Sequence, residues 1–180
     1  MTPDGILGAA ATRRRFIALA GAGLLLPALG VPAAEAPDVA VKGAVEHPLA
    51  LTVADLQAFP RHDYEETGPE GKGPPRAPSK VNGVLLRDVL DRAQLVEKRP
   101  RDLRKTIVIA DARDGYRAIF TWVELYLSSL GEGVVLALER DGKPLAESEG
   151  PVALVSLRDE RRGPRHVKWL KSIEARLIDA

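Results

Sequence analysis

Two Asp-Gly steps, Asp114-Gly115 and Asp141-Gly142, each stand between short runs of β-branched and apolar residues, and they constrain the fold of this 180-residue chain more than any other feature. Asp-Gly enters the positive-φ conformations of a tight hairpin turn at little steric cost, so a chain that places it between two strand-like runs reverses there. Thr106-Ile107-Val108-Ile109-Ala110 is thus expected to fold back onto the alternating run Tyr116 to Thr121, and the apolar run Val134 to Leu138 into Lys143-Pro144-Leu145. Further strands are predicted over Val39 to Val45, ending at the break Glu46-His47-Pro48, and over Pro151 to Leu157.

Helix signals are fewer. Thr52-Val53-Ala54-Asp55 and Thr121-Trp122-Val123-Glu124 both read as capping boxes, in which the Thr hydroxyl accepts from the N3 amide and the acid reaches back to the cap. The first opens a short helix to about Ala58, the second a helix that Gly131 ends. Leu85, Leu86, Val89, Leu90 and Ala93 recur at helical spacing with charges on the opposite face. A turn of helix is predicted around Lys168-Trp169-Leu170, running into the alternation Ile173, Ala175, Leu177. Seven Gly or Pro residues fall between Thr67 and Pro78, where neither helix nor ladder can persist, so this segment is a long surface loop. The fold class is α+β, a single domain over residues 37–180 with mixed β-sheets and hairpins and two or three helices.

Residues 1–36 read differently. Arg13, Arg14 and Arg15 precede an uncharged run from Phe16 to Ala34, and Ala34-Glu35-Ala36 offers small residues at a cleavage site. This is the pattern of an export signal. A retained anchor is the alternative, but Gly21, Gly23, Pro27, Gly30 and Pro32 break the helix it would need. Arg13-Arg14 followed by one residue and Phe16-Ile17 resembles the twin-arginine motif, which implies export of a folded protein to the periplasm; a Sec signal is the other route.

Charge and cysteine content narrow the function. The formal net charge is +1, and beyond the leader basic and acidic side chains balance, which argues against sequence-independent nucleic-acid binding. The chain has no Cys, which excludes disulfides, iron–sulfur clusters, thiolate zinc sites and a Cys nucleophile within it. His47, His62 and His166 have no helical metal spacing, Gly68 to Gly73 follows no strand as a phosphate loop would, and Ser128, Ser129 and Ser156 match no nucleophile elbow. The residues alone therefore give no catalytic signature and no metal site.

An order of phrases carries more. Val41 to Leu49, Thr52 to Leu56 with Phe59 to His62, and Asn82 to Leu90 resemble the opening of the sulfite-oxidase-type molybdopterin-binding domain. Asp114-Gly115-Tyr116, Val135-Leu136-Ala137, Asp141 to Leu145, Gly150-Pro151-Val152 and Val167 to Leu170 with Ile173 are similar to its later phrases, in the same order. The resemblance implies that fold. It also implies a departure: the family's enzymes hold molybdenum through a Cys between the first helix and the Gly-Val-x-Leu phrase, where this chain has the Pro/Gly segment. No side chain nearby replaces a soft thiolate without changing the metal's electronics. The chain thus looks like small exported members without the ligand, which bind a free, reduced pterin rather than the molybdenum cofactor. Such members report to the periplasmic domain of a membrane signalling protein, a cyclic-dinucleotide enzyme or a histidine kinase. The resemblance leans against enzyme activity. A molybdopterin-dependent oxidoreductase subunit with an oxygen or water ligand, or a structural accessory domain, are the alternatives.

A pterin presents two adjacent N–H donors beside a carbonyl on a flat bicycle. A carboxylate takes the donors, Arg or Lys meets the carbonyl, and an aromatic ring covers the face. Candidates for these roles are Asp114 and Tyr116 at the hairpin, Trp122 at the helix start, and Arg161, Arg162, Arg165, His166 and Lys168 before the last strand, with Asp111 in reserve. Arg165 to Lys168 is favoured because the family's cofactor contacts lie just before its Lys-Trp phrase. Each has a structural alternative: Asp114 as a turn former, Tyr116 and Trp122 as core, and Arg158 to Arg162 as a solvated mixed-charge loop.

Overall fold

A computed structural model describes residues 36–66, 77–161 and 163–178. The expected export signal up to Glu35, all but the end of the Pro/Gly segment and Arg162 lie outside the described residues.

Among the described residues the strands are β1 (Val39–Gly43), β2 (Leu49–Leu51), β3 (Arg61–Glu66), β4 (Ser79–Leu85), β5 (Thr106–Ala112), β6 (Arg117–Thr121), β7 (Val134–Arg140), β8 (Lys143–Pro144), β9 (Ala153–Ser156) and β10 (Leu170–Leu177). Three short helices, α1 (Val53–Gln57), α2 (Leu86–Ala93) and α3 (Trp122–Tyr126), are joined by 3-10 turns at Asp102–Lys105 and Ser129–Gly133. One sheet has the order β2-β1-β10-β5-β6, in which β1 and β10 run parallel and the other pairs antiparallel. The second has the order β3-β4-β7-β8, with β9 also on β7.

Both hairpins form where Asp-Gly places them. Asp141 and Gly142 take φ of 52° and 71°, the two positive values of a primed turn, and set Arg140 opposite Lys143. At the other, Gly115 takes φ of 89° in a wider turn, with its N–H on Ala112 O and the Ala112 N–H on Tyr116 O, and Ile109 pairs with Ile119. Both capping boxes are complete, Thr52 with Asp55 and Thr121 with Glu124.

The main core gathers Val39, Val41, Val108, Phe120, Leu136, Leu154 and Ile173 from both sheets with Leu86, Val89 and Leu90 of α2, all fully buried. A second cluster, Val81, Leu85, Val135, Ala137, Val155 and Leu157, occupies another part of the β4-β7-β9 sheet. All five residues from Val134 to Leu138 are therefore buried, which explains a strand without alternation.

Two expectations are corrected, and a third finding is unforeseen. The helix opened by Thr121 ends at Tyr126, not Gly131: the Ser128 hydroxyl accepts from the Leu130 N–H and starts the 3-10 turn that contains Gly131. A Cβ on Gly131 would lie 1.8 Å from the Leu125 carbonyl oxygen, so glycine is needed for that close approach rather than as a cap. No helical turn forms around Lys168-Trp169-Leu170. Trp169 is held at φ of 50°, its N–H on Glu149 O and its carbonyl receiving the Arg113 N–H, with its ring against Gly150. The unforeseen elements are β2, β3 and β4, which the pattern did not predict. β3, Arg-His-Asp-Tyr-Glu-Glu, has no apolar alternation and exists because β4 pairs with it from Arg61–Val84 to Glu66–Ser79.

Candidate functional site

The segment after β9 and the 3-10 turn after α3 border an open cleft of about 600 Å³, lined by Ser128, Ser129 and Leu130 from the turn and by Arg158 to Arg161, Pro164 and Arg165 from the segment. Four elements position it. The capping box fixes the start of α3, whose Glu124 accepts from Arg165 Nη1 at 3.1 Å. Asp159 takes Arg165 Nε at 2.8 Å and its Nη2 as well, and β6 supplies Phe120, whose ring lies 4.8 Å beneath the guanidinium. Hydrogen bonds to Asp159 hold the Arg165 pKa up, against burial. Partial burial works against charge on Glu124, but hydrogen bonds from Thr121 and Arg165 draw its pKa below the usual range. Arg158 pairs with Glu132 at 2.5 Å and donates to the Ser129 carbonyl. Arg161 is exposed on the cleft wall.

His166, the next residue, turns to other partners. Its Nε2 lies 3.4 Å from Glu149 Oε2 without hydrogen-bond geometry, and that atom is buried with no partner among the described residues. Glu149 is instead bound in a fork to Arg140 Nε and Nη2 at 3.2 and 3.0 Å, and Arg140 also reaches Glu66 and Ser79. Burial lowers the His166 pKa; Glu149 and Glu66 oppose this, and Lys168 and Arg140 reinforce it. Burial would raise the Glu149 pKa, but Arg140 more than reverses it. Arg140 therefore ties the strand ends at Glu66 and Ser79 to Glu149 in the β8–β9 connection, beside which His166 lies.

The remaining candidates separate. Asp114 is exposed in the β5–β6 turn, where its Oδ1 accepts the Tyr116 N–H at 2.9 Å. Tyr116 is 43% exposed and donates to the Pro164 carbonyl, so it braces a cleft residue. Trp122 is half-buried and stacks on Tyr126 at 5.3 Å, which covers one of its faces. Lys168 is exposed near Glu149 and His166. The reserve candidate Asp111 pairs with Arg117. Thus Arg161 and Arg165 meet at the cleft with Tyr116 behind them, His166 and Lys168 meet at Arg140–Glu149, and Asp114 and Trp122 belong to neither lining.

Sequence reading missed Ser128, Ser129, Glu124, Arg158 and Asp159 as a group. Ser128-Ser129 after a capped helix and Asp six residues before Arg165 were the available signals, but only the chain's return past β7 and β9 brings them together. Among the described residues no three His, Asp or Glu side chains converge as metal ligands.

One sheet with a single parallel pair, one antiparallel sheet and three short helices make an α+β domain with an arginine-lined cleft after β9. Residues 77–178, more than half of the chain, match the family described as the oxidoreductase molybdopterin binding domain, and the chain belongs to that family. The fold is similar to that of the sulfane dehydrogenase SoxCD from Paracoccus pantotrophus in its crystal structure, with a TM-score of 0.60 and 21% identity, over 78% of this chain and 38% of that one. This chain spans well under half of that protein chain, and the likeness is one of fold. No curated protein matches.

Proposed function

We propose that the domain is a periplasmic, non-catalytic module that binds a free reduced pterin and signals its occupancy to a membrane-bound partner. Membership makes it a molybdopterin-binding oxidoreductase-type domain; the finer reading rests on this chain's own residues. The observation that carries it is the donor set at the cleft. Arg161, the Ser129 hydroxyl and the Arg158 nitrogens not engaged by Glu132 and the Ser129 carbonyl suit a pterin carbonyl, ring nitrogens or an attached phosphate, whereas the Ser128 hydroxyl already donates to the Glu124 carbonyl; no thiolate exists anywhere in the chain to hold molybdenum. The pterin part of the family's cofactor fits these residues, and the metal-bearing part does not.

Binding would place Arg161 on the exposed wall and the Arg165–Asp159 pair at the back. Arg165 already commits its fork to Asp159 and Glu124, so it orders the cleft rather than offering free donors. The leader pattern supports export, and replacing Arg13 and Arg14 together by Lys should block it on the twin-arginine route; unchanged periplasmic yield would point to Sec. The proposed partner is the periplasmic domain of a cyclic-dinucleotide enzyme or a histidine kinase.

The family's usual cofactor favours a second reading, an oxidoreductase subunit that holds molybdenum through oxygen. Metal analysis and ultraviolet absorbance of the exported protein, followed by anaerobic titration with tetrahydropterin, separate the two. A metal-free bound pterin supports the sensor; molybdenum with a pyranopterin and metal-dependent turnover supports the enzyme. Neither, with no uptake in the titration, leaves a structural domain.

A further inference from the structure

The segment from Glu97 to Lys105 holds five cations, Lys98, Arg99, Arg101, Arg104 and Lys105, and two acids. All five cations are exposed, and none forms an ion pair among the described residues. The acids are used elsewhere: Glu97 accepts the Arg101 N–H at 3.1 Å, and buried Asp102 accepts the Arg99 N–H at 2.8 Å. The carboxylates thus shape the turn, with Arg101 at φ of 74°, and leave the positive charge to solvent. In a body whose charges balance as a whole, this is a concentrated local field rather than a net excess.

Apolar groups stand beside these cations. Ile178 is 53% exposed, and its N–H is bonded to the Lys105 carbonyl, which fixes it against the end of the basic turn. Lys98 and Arg99 also rim a hollow of about 370 Å³ whose wall includes Ala44, Val96 and Leu177. We infer that this face is a docking surface for an anionic phospholipid bilayer, with the cations on the headgroup phosphates and Ile178 at the acyl boundary. An acidic peptide would use the charges alone. A bilayer uses the charges and the apolar side chain together. The inference is independent of the pterin reading, and nothing in it requires a membrane-spanning segment.

The test is flotation of the 37–180 protein with vesicles of pure phosphatidylcholine and with vesicles of phosphatidylcholine and phosphatidylglycerol in equal parts. Each cation near an anionic surface is worth roughly fivefold in partitioning, so binding should appear only with phosphatidylglycerol and disappear at about 1 M salt, where the Debye length is ~3 Å. The triple variant Lys98→Glu, Arg99→Glu, Arg104→Glu changes exposed side chains only and should lose roughly a hundredfold or more in partitioning with its thermal melt unchanged. The Ile178→Trp variant should shift its emission to the blue on the anionic vesicles, relative to wild type. Equal partitioning of wild type and triple variant, no preference for phosphatidylglycerol, or no such shift in the Ile178→Trp variant once bound to vesicles would overturn the proposal. So would capture of the protein by oligoglutamate without binding to anionic vesicles.

Discussion

Arg165 holds its guanidinium 4.8 Å from the centroid of the Phe120 ring, so the wall of the candidate cleft is fastened to the buried face of β6. The same group neutralises Asp159, whose side chain is only 10% exposed, and reaches Glu124. Arg165→Ala strands a nearly buried carboxylate and is expected to cost about 2–3 kcal/mol. Arg165→Lys keeps the charge but not the fork, and should recover part of that. Urea denaturation of the two variants measures both values, and equal stability of Arg165→Ala and wild type would remove the pair from the scaffold.

His166 makes stability fall in mild acid. Burial depresses its folded pKa below the ordinary value near 6.5, so the unfolded chain binds the proton more readily. Its contribution is complete above about pH 6.5 and is lost as pH falls from there through the folded pKa. Glu124 and Glu149, also depressed, act in the same direction but lower, as pH falls through the carboxylate range. His166→Gln should flatten the upper part of the loss and leave the lower part, read by urea midpoints from about pH 8 to about pH 4.

Two glycines should respond in opposite degrees to the same change. Gly131→Ala sets a methyl against the Leu125 carbonyl and is expected to cost more than about 3 kcal/mol, because backbone must move. Gly142→Ala meets nothing within 4 Å and pays only for its φ of 71°, about 1 kcal/mol. Thermal melts distinguish them.

Asp114→Asn keeps the oxygen that accepts the Tyr116 N–H and should leave stability within about 0.5 kcal/mol of wild type. Asp114 does not line the cleft, so tetrahydropterin affinity should also hold. Arg161→Ala, which opens the cleft wall, should weaken binding by about 1.5–3 kcal/mol with an unchanged melt. Calorimetric titration of the pair locates the ligand.

What was legible was local. The Asp-Gly turns, both capping boxes and the apolar stripe of α2 each depend on neighbours within a few residues, and each formed as read. β3 was hidden because every one of its residues is polar or amphipathic; only pairing with β4 makes it a strand. The last segment misled because Trp169 takes its backbone angle from Glu149 and Arg113, residues far off in the chain. The site failed for the same reason. Arg161 and Arg165 were found as charges near Asp159 in the chain, but Glu124 and Ser128 join them only through the path of three strands.

β1 lies parallel to β10, with Val41 beside Ile173, and β10 in turn separates β1 from β5. The middle of this sheet is therefore filled by the last strand described. During synthesis β1, β2, β5 and β6 can exist only as separate hairpins until Leu170–Leu177 has left the ribosome, and the sheet closes in one late step of high sequence separation. A chain that stops short of β10 would present two unpaired apolar edges, a form suited to chaperone capture or proteolysis rather than to partial function.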